Sequence, residues 1–115
     1  MKKQNIKWKR EFDDKDSLFF TYYHLLLIGF NRFSLSDKEI KLLVELTKHS
    51  YATKDLNELA EKVGFKHQVL KNSFTKLKKM KLVYCVANVY SINPSLALDN
   101  TIDSIELNIN TNVTV

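Results

Sequence analysis

Six lysines, Lys66, Lys71, Lys76, Lys78, Lys79 and Lys81, fall in a stretch that holds no aspartate or glutamate. Read at helical period, Lys66, His67, Gln68, Lys71, Asn72, Thr75, Lys76 and Lys79 lie opposite an apolar stripe of Leu70, Phe74 and Leu77, with Val69, Ser73 and Met80 at its margins. Ammonium groups neutralise phosphates, and the amides of Gln68 and Asn72 can donate to and accept from one base edge at once. A helix that buries one side and shows only basic and amide groups on the other suits a major groove. The same composition also suits a plain solvated helix face. The residues just before it tip the balance toward nucleic acid.

Those residues spell a second, shorter helix and a corner. Leu56, Leu59, Ala60 and Val63 make one apolar stripe, with Asp55 placed to cap it and Glu58 as return partner. Gly64 supplies the left-handed residue that a sharp exit needs. The Ala60-x-x-x-Gly64 spacing, with Leu59, Val63, Phe65 and Leu70 around it, resembles the helix-turn-helix pattern. The second helix is predicted from about Lys66 to about Met80. Val83–Val86 and Val89–Ile92 then read as two strands joined at Ala87-Asn88.

The run KLKKMKLVYCVANVYSINPSL is similar to the end of the recognition helix and the wing of MarR-like regulators and of winged-helix plasmid or phage replication proteins, with Lys81 where glycine is usual. The resemblance covers roughly residues 36–98. It implies a winged helix-turn-helix whose helix 66–80 reads double-stranded DNA. Lys78, Lys79 and Lys81 would flank the backbone, and Asn88 at the wing tip would touch the minor groove or a phosphate.

Other elements must position that pair. Ser36-Asp37-Lys38-Glu39 is a capping box, opening a helix whose face is Ile40, Leu43, Val44 and Thr47, widened by Leu42 and Leu46. Tyr51–Lys54 is the connection where many winged helices place a short first strand. The expected fold is mainly α with a small β-hairpin wing, plus an extra apolar N-terminal helix and a C-terminal strand-like tail.

Residues 1–16 read as a basic arm, 17–98 as the folded domain and 99–115 as the tail. Trp8 interrupts the basic arm and is expected to anchor on a protein partner. The helix from Ser17 to about Gly29 is apolar on nearly every face, and a small domain has little mass to cover it. One face, through Phe19, Tyr23, Leu26 and Phe30, is therefore expected to meet a second copy or another protein. In the tail, Ile105, Leu107, Ile109, Thr111, Val113 and Val115 alternate with polar residues, the period of a half-buried strand. It is expected either to pair with the wing or to join a neighbouring chain's sheet.

The totals narrow the function class. A 115-residue chain of formal charge +5 and pI about 9.3 is one small domain that favours an anionic partner. The single cysteine, Cys85, excludes an internal disulfide framework. No phosphate-binding glycine loop, metal-ligand spacing or paired acids in an apolar setting is present, so neither an enzyme nor a cofactor is expected. No signal peptide or bilayer-length apolar run is evident, which points to a cytoplasmic protein, and the richness in Lys, Asn and Ile fits an AT-rich bacterial or phage genome. Two readings stand: a dimeric DNA-binding regulator or replication-associated protein, and a structural or adaptor protein of a larger assembly such as a phage particle.

Overall fold

A computed structural model describes residues 2–96, 98, 102 and 104–113, and the side chains of all these except 2–6 and 107–113. The chain is mixed α and β: a helical body with two small antiparallel sheets. Strand β1 is Lys2–Glu11. Helix α1, Lys15–Tyr23, continues into a π-helical segment, His24–Phe30. Helix α2 is Asp37–Lys48, strand β2 Tyr51–Ala52, helix α3 Leu56–Val63 and helix α4 His67–Lys79. Strands β3, Val83–Val86, and β4, Val89–Ile92, form a hairpin, and β5, Ser104–Val113, closes the described chain.

The periodic stripes become the core. Ile40, Leu42 and Leu43 of α2, Leu56, Leu59, Ala60 and Val63 of α3, and Leu70, Phe74 and Leu77 of α4 are all buried. The hairpin seals one side. Val83 is fully buried, and Tyr90 stacks on Phe74 at 4.0 Å with an interplanar angle of 16°. In the three-stranded sheet β4 lies between β2 and β3, with Tyr51 opposite Tyr90 and Val83 opposite Ile92.

Turn chemistry fixes how the elements meet. The capping box at the start of α2 is complete: the Glu39 backbone donates to Ser36 Oγ at 3.1 Å, and the Ser36 backbone donates to Glu39 Oε1 at 2.9 Å. Gly64 sits at φ +84, and the Gly64 and Phe65 amides both donate to the Ala60 carbonyl. A Cβ built there would come no nearer to its surroundings than 3.9 Å, from Lys38 Cε, so the position demands a dihedral, not space. Lys81 takes the same role after α4 at φ +61, with Leu82 N donating to Leu77 O and Lys81 N to Lys78 O. Ala87 and Asn88 both have positive φ, the requirement of the tight two-residue turn that matches strand twist.

Four expectations change. Asp55 precedes α3 without a side-chain cap bond, because a 3-10 turn over Thr53–Asp55 leads the chain into that helix. The apolar N-terminal helix starts earlier than Ser17, capped by Asp14, whose carboxylate accepts from Asp16 N and from Ser17 Oγ. Those bonds, the Ser17 one foremost, hold the Asp14 carboxyl below its ordinary range.

Third, Phe19 and Tyr23 are buried in the chain's own core, not on a partner face. Burying Phe19 alone contributes roughly 2 kcal/mol. The Tyr23 hydroxyl lies 2.6 Å from Thr47 Oγ1 and 3.1 Å from the Leu96 carbonyl, tying α1 to α2 and to the segment after the hairpin. Burial pushes the Tyr23 phenol up to about 12, and the Thr47 bond opposes that shift. The π segment, with its wider turn, explains why the buried stripe Phe19, Tyr23, Leu27 does not reach Phe30, which is 59% exposed.

Fourth, the arm and the tail pair with each other and not with the hairpin. β1 and β5 run antiparallel over ten positions, from Lys2 opposite Val113 to Glu11 opposite Ser104. Asp103 and Val115 lie outside the described residues, as do the side chains of Leu107 and Ile109.

The two left-handed helix exits give opposite predictions. Lys81→Gly should raise unfolding stability in urea by about 1 kcal/mol, whereas Gly64→Ala should lower it by about 1–2 kcal/mol. Equal effects at both sites would contradict the assigned backbone.

Candidate nucleic-acid interface

Helix α4 begins without a side-chain cap at Lys66 and carries no acidic residue. Its three interior anchors fix its rotation, so the remaining positions are set by geometry. Lys66, His67, Gln68, Lys71, Asn72, Thr75, Lys76 and Lys79 are all exposed, as expected for the polar side of the stripe. Val69 is also 43% exposed, an apolar residue among the polar ones.

Four of these side chains, Gln68, Asn72, Thr75 and Lys76, already have partners. Gln68 Nε2 donates to Asn72 Oδ1 at 3.2 Å, one helical turn on. This pairing couples both amides and leaves Gln68 Oε1 as an acceptor and the Asn72 amide nitrogen as a donor. Thr75 Oγ1 donates back to the Lys71 carbonyl at 3.1 Å, so its hydrogen is used within the helix and the oxygen is left as an acceptor.

Lys76 differs from its neighbours. Its ammonium donates to Ser34 O at 2.7 Å and to Glu39 Oε1 at 3.0 Å. Glu39 is the buried carboxylate of the α2 capping box, with a side chain only 9% exposed. Lys76 therefore clamps α4 to the start of α2, and two of its three ammonium hydrogens are already engaged within the chain. A single-helix reading assigns it to the polar face and has no way to see the carboxylate that α2 brings there.

The remaining cations split in two groups. Lys66, Lys71 and Lys79 make no ion pair within 4.0 Å among the described residues. Lys78 lies 5.8 Å over the Tyr90 ring, a cation–π contact that folds it toward the hairpin. At the hairpin tip Asn88 is exposed, and its carbonyl accepts from Thr53 N at 2.9 Å, which anchors the turn to the start of the α3 approach.

Tyr84 and Val86 are 42% and 71% exposed on the outer side of β3. They escaped attention in the sequence, although strand alternation with buried Val83 was the signal for them. Of the expected partner-facing residues, Trp8 is 38% exposed, Phe30 is exposed, Leu26 is half-buried and Ile105 is buried against the body.

Elsewhere, an open cleft of about 510 Å³ is lined by Arg10, Asp16, Phe20, Lys41, Glu45 and Lys62 among others. Lys48 bridges the two acids, Asp16 at 2.8 Å and Glu45 at 3.2 Å, so the carboxylates there are already paired. Among the described residues no three His, Cys, Asp or Glu side chains are grouped to hold a metal, and no helix is long and apolar enough to cross a membrane. The chain matches no protein-family model, no curated protein and no solved structure.

Removing the Lys76 charge leaves the Glu39 carboxylate buried with one partner fewer. Lys76→Met should cost roughly 2 kcal/mol of stability, the usual penalty of a broken buried pair reduced because the lysine itself is part-exposed. Lys71→Met should change stability by less than about 0.5 kcal/mol. Thermal or urea unfolding of the two variants side by side measures the difference, and equal losses would show that the clamp does not hold α4.

Proposed function

We propose that the chain is a winged helix-turn-helix protein that binds double-stranded DNA, as a transcription regulator or a replication-associated protein. Helix α4 enters the major groove, with α3 as the supporting helix and the β3–β4 hairpin as the wing. The observation that carries this reading is the solvent face of α4: Lys66, Lys71 and Lys79 without an ion-pair partner within 4.0 Å among the described residues, around the coupled amides of Gln68 and Asn72. The element order α2, β2, α3, α4, β3, β4, with β4 central in its sheet, supports it as well.

In this reading the cations bind phosphates and set register, and the amide pair meets base edges. His67 and Thr75 line the same groove. Asn88, flanked by Val86, reaches the adjoining backbone or minor groove. Lys76 acts indirectly, by holding the helix at its angle.

A second reading, an adaptor in a larger assembly such as a phage particle, draws on exposed Phe30 and Trp8. The two readings part on DNA affinity. Anisotropy titration against a mixed-sequence duplex at two salt concentrations should show binding that weakens steeply as salt rises. Lys71→Gln with Lys79→Gln should lower affinity at least about tenfold and reduce the salt slope by about 2. Unchanged affinity and slope would remove α4 from the interface, and absence of binding at low salt would favour the adaptor.

A further inference from the structure

The two strands of the terminal ribbon protect their outer edges unequally. β1 carries Lys2, Lys3, Lys7, Lys9 and Arg10 against one acid, Glu11. β5 carries no basic residue and one acid, Glu106. Among the described strands each has only the other as ladder partner, so each presents one edge of N–H and C=O groups to its surroundings. Charged residues, lysine above all, are the common defence of such an edge against pairing. β1 has that defence and β5 lacks it.

The ribbon also needs more than itself. Two strands alone are marginal in water, and a third strand or a covered face is what stabilises them. Among the described side chains of the ribbon, Ile105 at its base is buried by the helical body, while Lys7, Trp8, Lys9, Arg10 and Glu106 are exposed.

We infer that a second copy of this chain completes the sheet, its β5 pairing antiparallel with β5 of the first about a two-fold axis. The product is a four-stranded sheet in the order β1, β5, β5, β1. Charge disfavours a join of two β1 edges, and a join of β1 to β5 would leave a free edge of each kind to add further copies. Joining two β1 edges would set five cations of one copy against five of the other, whereas joining two β5 edges brings together only one Glu106 from each.

The residue pattern agrees with the charge. A two-fold axis through the Asn108 position sets Leu107 of one copy opposite Ile109 of the other, odd positions against odd. Within each ribbon the register already sets Ile6 opposite Ile109 and Trp8 opposite Leu107, with Lys7 opposite Asn108 and Lys9 opposite Glu106. Apolar residue types therefore fall at one parity across all four strands, a parity that β1 also gives to Lys2, Gln4 and Arg10, while the other parity carries no apolar type. Such a contact is self-complementary and closed, as a two-fold dimer requires.

Sedimentation velocity of the full chain at micromolar concentration tests this without reference to DNA. The wild-type chain should be a dimer. Glu106→Lys with Asn108→Lys and Asn110→Lys should be a monomer, because position 106 faces position 110 across the axis, and so should Asn108→Asp with Asn110→Asp beside the native Glu106, both with the wild-type far-ultraviolet helix signal. An equimolar mixture of the two variants should regain the dimer mass, since opposite charges then meet across the axis. A monomeric wild type, variants that remain dimeric, an open-ended assembly, or a mixture that stays monomeric would each overturn the inference.

Discussion

One buried carboxylate holds the body of this chain in register. Glu39 caps its own helix, receives the Lys76 ammonium at 3.0 Å and is almost wholly withdrawn from water. A buried charge left alone is costly, so its partners are effectively obligatory. Because Lys76 lies on α4, the requirement passes from a local cap on α2 to the angle at which α4 leaves the core. The apolar anchors Leu70, Phe74 and Leu77 set how far that helix sinks, and the Glu39–Lys76 clamp restrains its sliding and rolling. The polar face then points outward without any residue on it having to be specified for that purpose.

Much of the body was legible in the residues because its signals are local. The α3 stripe, the Gly64 corner, the Ser36–Glu39 box and the Ala87–Asn88 turn each depend on neighbours within a few positions, and each forms where the spacing placed it. Lys81 is instructive: a lysine holds a left-handed position where glycine would fit better, because the bonds from Leu82 N and Lys81 N and the contacts of Asn93 close that exit around it. Asn93 Nδ2 donates to Lys81 O at 2.7 Å, and Asn93 N donates to Leu82 O at 2.9 Å.

What was not legible depends on partners distant along the chain. The role of Lys76 comes from a carboxylate on another helix. The burial of Phe19 and Tyr23 follows from α2 closing over them, which turns an apparently surplus apolar surface into core. The shift to π geometry after Tyr23 has no residue signature, yet it decides that Phe30 faces solvent. The lysine-rich start reads as a basic arm, and only the tail shows why Ile6 and Trp8 sit two apart: they fall in register with Ile109 and Leu107.

We propose that α4 presents a DNA-binding face. The most direct test is amide chemical-shift mapping on the isotope-labelled chain as a mixed-sequence duplex is added at low salt. The largest shifts are expected at Lys66, Gln68, Lys71, Asn72 and Thr75, with a second group at Ala87 and Asn88 and little change at Ile40 or Leu43 in the core. Shifts confined to the terminal ribbon, or none at all, would contradict it.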